Sequence, residues 1–170
     1  KGDSIVQTDG GKTNTSNAAG NTVVDGTKST VTTAAGTTIT DGAKTNTNTA
    51  DKNVIDDGAG NTNTSNATSN TIADPNGNTN TATATSNTLA DNAGNSNVSN
   101  ATSNNLTDNA GNSNVSNATS NTLKNAAGDE TKVDAKGATV KDAAGNTTNV
   151  AATGATVTNA AGDTTKVEAT

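Results

Sequence analysis

The chain repeats itself. Ten aliphatic residues recur along its 170 positions at intervals of 17, 16, 16 and then 17 residues: Val6, Val23, Ile39, Ile55, Ile72, Leu89, Leu106, Leu123, Val140 and Val157. A unit this short holds two strands and two turns, too little to enclose a core. It gains stability only by stacking on its neighbours, and that restricts the chain to repeat architectures.

Two further columns follow the same period. Ala18, Ala34, Ala50, Ala67, Ala84, Ala101, Ala118, Ala135, Ala152 and Ala169 hold the thirteenth position. Asp25, Asp41, Asp57, Asp74, Asp91, Asp108, Asn125, Asp142 and Asn159 hold the third, with Thr8 as the exception. The shorter spacings coincide with the shorter turns Asp25–Lys28 and Asp41–Lys44, so the change of length sits in a turn, where it costs least.

Each unit reads as two extended runs and two turns. Runs such as Asn87-Thr88-Leu89-Ala90 and Asn95-Ser96-Asn97-Val98-Ser99 carry Thr, Val and Leu between polar residues. The first turn is Asp/Asn-x-x-Gly, as in Asp108–Gly111 and Asn159–Gly162. The second is Asn/Asp/Thr-Ala-x-Gly/Ser, as in Asp134–Gly137 and Asn100–Ser103. Asp or Asn opens such turns through its side chain, and Gly supplies positive φ. No stretch has helical periodicity.

The pattern predicts an all-β fold: a β-solenoid of ten 16–17-residue coils with two short strands each, in one domain spanning residues 1–170. Equivalent residues then stack about 4.8 Å apart. The ten aliphatic column heads face inward, opposite a Val/Thr column (Val31, Thr47, Thr64, Thr81, Val98, Val115). Ala67, Ala84, Ala101 and Ala118 sit at tight corners, and Asn63, Asn80, Asn97 and Asn114 form an amide ladder. The alternative is an antiparallel β-meander or prism in a trimeric fibre. Asp25-Gly26 and Asp41-Gly42 favour it, because Asp-Gly is a strong hairpin signal.

In units eight to ten the second-run Val moves by one place, to Val133, Val150 and Val167. That shift predicts a change of register or cross-section after about Leu123. Lys1-Gly2-Asp3-Ser4-Ile5-Val6 reads like Lys136-Gly137-Ala138-Thr139-Val140, and a second copy placed after Thr170 continues the period. Lys1, Gly2, Ile5, Val167, Ala169 and Thr170 are therefore the candidate assembly ends, in a segment of a longer array or a subunit that stacks head to tail. No signal peptide is visible at Lys1, as expected of a mature or excised segment.

Composition narrows the function. The chain has no His, Cys or Arg and no aromatic residue. Nucleophilic triads, zinc sites of the usual ligands and stacking platforms for nucleic acid are thereby excluded. A net charge of −6 argues against a phosphate-binding face. No apolar run is long enough to insert in a membrane. Paired carboxylates (Asp56-Asp57, Asp129-Glu130) lack the pocket and platforms of a glycosidase, so neither an enzyme nor a cofactor is expected. The aspartates read first as turn caps. A calcium column at Asp57, Asp74, Asp91 and Asp108 is the alternative. Thr45-Asn46-Thr47-Asn48-Thr49 and Thr79-Asn80-Thr81-Ala82-Thr83 are similar to the Thr-x-Thr arrays of ice-binding solenoids, which makes a Thr-rich ice-binding face another alternative.

The segment Lys132–Val167 holds Ala-Thr-Val-Lys-Asp-Ala-Ala-Gly-Asn-Thr-Thr and Ala-Thr-Val-Thr-Asn-Ala-Ala-Gly-Asp-Thr-Thr-Lys-Val. It resembles the repeat passengers of bacterial surface adhesins, namely trimeric autotransporter and haemagglutinin-like repeat fibres. The resemblance implies an extracellular or cell-surface structural protein, such as an adhesive or biofilm-matrix filament. Its partners are then further copies of itself, head to tail or as a trimer, or a surface or matrix component.

Overall fold

A computed structural model describes residues 3–169. It divides the chain into two compact units, Lys1–Ala84 and Thr85–Thr170. The first contains β1 (Ile5–Asp9), β2 (Lys12–Asn17), β3 (Gly20–Asp25), β4 (Lys28–Thr33), β5 (Gly36–Asp41), β6 (Lys44–Thr49), β7 (Lys52–Asp56), β8 (Thr62–Asn66), β9 (Ser69–Ala73) and β10 (Thr79–Thr83). The second contains β11 (Ser86–Ala90), β12 (Ser96–Asn100), β13 (Ser103–Thr107), β14 (Ser113–Asn117), β15 (Ser120–Lys124), β16 (Glu130–Asp134), β17 (Gly137–Lys141), β18 (Thr147–Ala151), β19 (Gly154–Thr158) and β20 (Thr164–Glu168). The fold is all-β and repetitive, with no helix among the described residues.

Within each unit every strand pairs antiparallel with the next, as in Leu89↔Asn97 and Asn97↔Leu106. This is the meander rather than the coil-on-coil stack. The turns decide it. Two residues separate β8 from β9 and β12 from β13, and a two-residue connection joins only antiparallel neighbours, since a parallel neighbour needs a long crossover. Equivalent residues of successive units therefore lie two strand spacings apart, about 9.6 Å.

The interleaving of strands corrects three expectations. Asn97 sits between Leu89 and Leu106, and Asn114 between Leu106 and Leu123, so the asparagines alternate with aliphatic residues and form no amide ladder. Ala67, Ala84, Ala101 and Ala118 lie exposed in the short turns, not at an inward corner. The column heads point to an open face: Leu89, Leu106 and Leu123 keep 56%, 53% and 48% of their surface exposed, and no described residue is buried.

The first unit begins differently from its apparent period. Val6 pairs with Thr15, on the line that runs on through Thr22 and Val31. Gln7 takes the place on the Asn14–Val23 line. The reason is the Asp9-Gly10-Gly11-Lys12 turn, a two-residue connection like those at Gly26 and Gly42. Asp9, not Thr8, belongs to the acidic column.

After Leu123 the register continues unchanged, with Leu123↔Thr131 and Val140↔Thr131. The connection 125–129 matches 91–95 in length, and turn length pins register. What flips is the face. Val98 and Val115 face away from the leucines, whereas Val133, Val150 and Val167 share the face of Leu123, Val140 and Val157.

Gly137 shows how closely the turns approach their neighbours. It has φ 145°, and a Cβ there would lie 2.1 Å from the Val150 carbonyl oxygen. Gly94 (φ 92°) needs positive φ, but a Cβ there would make only ordinary van der Waals contact, the nearest with Asn109 at 3.6 Å. Gly137→Ala is expected to cost about 2–3 kcal/mol, through strain plus collision. Gly94→Ala is expected to cost about 1–2 kcal/mol, through backbone strain alone. Urea titrations followed by circular dichroism rank the two; equal losses would show that the close approach is not real.

Candidate functional site

The long turns share one construction. In 91–95 the Asp91 amide donates to the Asn95 carbonyl at 3.0 Å, and the Gly94 amide donates to the Asp91 carbonyl at 3.2 Å. The Asp91 carboxylate accepts from the Asn95 amide at 2.9 Å through Oδ1 and from Asn95 Nδ2 at 2.6 Å through Oδ2. Asp74 with Asn78, Asp108 with Asn112 and Asp142 with Asn146 repeat it. So does Asp57, which accepts from Asn61 through both oxygens.

Two turns are inverted. Asn125 Nδ2 donates to Asp129 Oδ2 at 2.6 Å, and Asn159 Nδ2 donates to Asp163 Oδ2 at 2.8 Å. Every long turn therefore has one carboxylate and one amide, four residues apart, in either order. The two Asn substitutions in the acidic column are compensated at 129 and 163. Reading the third and seventh positions together exposes this swap in the sequence; reading one column hides it.

The seventh-position side chain also ties adjacent turns in the second unit. Asn95 Oδ1 accepts from the Asn109 amide at 2.9 Å, and Asn112 Oδ1 from the Ala126 amide at 2.9 Å. Asp129 Oδ1 accepts from Ala143 at 2.8 Å, and Asn146 Oδ1 from Ala160 at 2.8 Å. A hydrogen-bonded rail thus runs along the turns at 91–95, 108–112, 125–129, 142–146 and 159–163. The short turns use simpler caps: Asn66, Asn100 and Asn117 Oδ1 each accept two backbone amides.

These bonds set the electrostatics. The Asn side-chain donor, then backbone amides, hold Asp74, Asp91, Asp108 and Asp142 below the usual carboxylate range, and Asp57 follows through Asn61 and the Ala59 amide. At Asp134 the Lys136 amide is the leading cause. The proposed calcium ligands Asp57, Asp74, Asp91 and Asp108 thus cap turns. Among the described residues no three acidic side chains gather as a metal site. The paired carboxylates are caps as well: Asp56 accepts from the Gly58 amide at 2.7 Å, and Asp129 serves the rail.

The sheet faces differ between units. On β1–β6 a line of alternating charge crosses the aliphatic face, Asp9–Lys12–Asp25–Lys28–Asp41–Lys44. Lys12 and Asp25 approach to 3.2 Å, and Lys28 and Asp41 to 3.8 Å. The opposite face of the first unit carries the Thr runs, including Thr45, Thr47 and Thr49. Some of its hydroxyls bond one another, Thr38 with Thr47 and Thr71 with Thr81.

In the second unit the charges segregate completely. Lys124, Glu130, Lys132, Asp134, Lys141, Lys166 and Glu168, all the charged residues in its strands, lie on one face. The other face carries Leu89, Leu106, Leu123, Val140 and Val157, with Asn97, Asn114, Thr131, Thr148 and Thr165 between them, and none of the charged strand residues. Asn97 and Asn114 Oδ1 are shielded from solvent there without a donor, as are Asn14 and Asn63 Oδ1 in the first unit. A cavity of about 550 Å³ opens over Leu106, Leu123 and Val140, lined also by Asp108, Lys124, Asp129, Glu130 and Lys141. Sequence reasoning placed these aliphatic residues in a core; the alternation Val133/Lys132/Thr131 was the signal that they share an uncharged surface.

Of the candidate assembly ends, Lys1, Gly2 and Thr170 lie outside the described residues. Ile5 and Val167 are 68% and 65% exposed. Ala169 donates its amide to the Thr153 carbonyl at 3.1 Å.

No family model and no curated protein matches this chain. Solved structures do. The TCP10 domain of Danio rerio CPAP, in complex with a peptide of Danio rerio STIL, superposes with a TM-score of 0.58 at 11% identity, covering 98% of this chain and 100% of that one. The Drosophila melanogaster SAS-4 (dCPAP) TCP domain, in complex with a proline-rich motif of Ana2 (dSTIL), gives 0.55 at 11% identity over 75% and 90% of the two chains. The CPAP G-box domain gives 0.52 at 13% identity over the full length of both. The likeness is one of fold.

Two outcomes follow from the turn pairs. Asn125→Asp places two carboxylates in one turn and should lower the melting temperature at neutral pH. Adding Asp129→Asn restores the order of the neighbouring turns and should recover it; no recovery would show that the pairing is incidental. The capped carboxylates also fix the pH response. Their pKa values are depressed on folding, so they contribute fully above the unfolded value of about 3.9 and lose that contribution as pH falls through the folded values. Thermal melts should be level from pH 7 to about 5 and decline below about 4. Asp91→Asn should shrink that acid-side decline.

Proposed function

We propose that the chain is a non-enzymatic structural protein, a segment or subunit of an extracellular or cell-surface fibre of bacterial type, without cofactors. One observation carries the reading: no described residue is buried. A fold that rests on strand pairing and turn caps extends unit by unit without redesign of a core, as a spacer or filament requires. Its partners are further copies of itself, meeting through strand edges or sheet faces.

A second reading is an adhesive passenger whose partner is another protein. It is favoured by the peptide complexes of the CPAP and SAS-4 domains, to which this fold is similar.

Electron microscopy with light scattering separates the readings. Uniform filaments in purified protein are the expected outcome of the first. Monodisperse short particles that bind a surface or matrix peptide would overturn it for the second. A deletion probes the physical basis. Removing the 17 residues 103–119 excises one whole period. The remainder should keep its per-residue strand signal and lose only a few degrees of melting temperature, roughly in proportion to the lost interfaces. Collapse of the whole spectrum would mean the units depend on something other than their neighbours.

A further inference from the structure

We infer that the uncharged face of β11–β20 is covered by the same face of a second copy of this chain, about a two-fold axis that runs along β15. An open sheet that leaves a row of half-exposed Leu and Val on one side, with every strand charge on the other, has the pattern of a sandwich half.

The occupant follows from period, polarity and area. Along the central line Leu89, Leu106, Leu123, Val140 and Val157 stand on alternate strands with Asn97, Asn114, Thr131, Thr148 and Thr165 between them, and Val133, Val150 and Val167 stand beside the threonines. A second copy has the same two-strand period along this line by construction. An axis along β15 preserves position along the strands and reverses their order. Leu123 then faces its own copy, Leu106 faces Val140 and Leu89 faces Val157. Asn114 faces Thr131 and Asn97 faces Thr148, so polar side chains stand opposite polar ones.

Nine overlapping strands, about 4.8 Å apart and about 17 Å long, present roughly 700 Å² per copy, near the share each partner buries in a standard stable interface. On β1–β6 a line of alternating charge crosses the aliphatic face, which keeps this pairing off those strands.

The chain has no cysteine, so single introduced thiols report geometry directly. Full-length Leu123→Cys, treated with a short bismaleimide, should give a covalent dimer on a denaturing gel. Thr122→Cys, one residue away on the opposite face, should give roughly ten-fold less, the discrimination of a specific interface over random encounter. Leu89→Cys alone should not link, but should link to Val157→Cys in a mixture, because the axis sets those residues opposite. Leu123→Lys, with folding checked by circular dichroism, should weaken dimerisation roughly a hundred-fold by burying an unpaired charge. Equal linking at 122 and 123, linking of Leu89→Cys to itself but not to Val157→Cys, or a monomer at all attainable concentrations would overturn the inference. The gel and the microscope report separately. Linked pairs without filaments keep this inference and sink the fibre reading; filaments whose Leu123→Cys chains stay unlinked do the reverse.

Discussion

A carboxylate and an amide four residues apart close each long turn, and the placement of everything else follows from that closure. With no buried side chain, the ordering entropy of each residue must be offset locally by strand pairing and capped turns. Asp91 and Asn95 satisfy four polar groups of their own turn, and Asn95 then reaches the Asn109 amide of the next. Turn length in turn dictates register, and register dictates which face each side chain occupies. One residue more or less in 125–129 would send Val140 and all that follows to the charged face. Turn chemistry thus does in this chain what core packing does in a globular domain.

This hierarchy explains which features were legible in the sequence. Strands, turns, period and the all-β class are encoded within a few residues of one another, in Asp-x-x-Gly and in Thr/Val runs, and so could be read directly. The direction of neighbouring strands is not encoded by columns. A residue every 17 positions aligns equally well in a coil stacked on itself and in a meander of hairpins. Two-residue gaps such as Ala67-Thr68, too short for a parallel return, separate the two. The error at the first unit has the same origin: Val6 fits the count of 17, but the Gly10-Gly11 turn makes Gln7 the residue in phase. The Asp–Asn exchange at 125/129 and 159/163 was present in the sequence, visible only once the turn's geometry told which two positions touch.

The two units meet the same hazard in different ways. A one-layer sheet exposes both faces, and an exposed aliphatic row is an invitation to unspecific association. In the first unit the Asp9–Lys44 line sets alternating charge beside Val23 and Ile39, so a facing sheet in most registers would bury an unpaired charge or place like charges opposite. In the second unit the shift of Val to 133, 150 and 167 adds apolar side chains to the aliphatic face and sends Lys132 and Lys166 to the other. A single change of phase therefore turns a guarded surface into one fit for burial.

Asn97 and Asn114 carry the argument one step further. An aliphatic residue in their places would bury more area against any apolar partner and would do so in every register. Asparagine lowers that nonspecific gain and asks for a polar group opposite it. A polar residue at a fixed interval in an apolar seam is how paired helices select register and partner number. On this sheet the interval is two strands, and polar groups at the required positions, Thr131 and Thr148, lie on the same face of the same unit. The physics that makes the isolated face imperfect is what makes one way of covering it better than the rest.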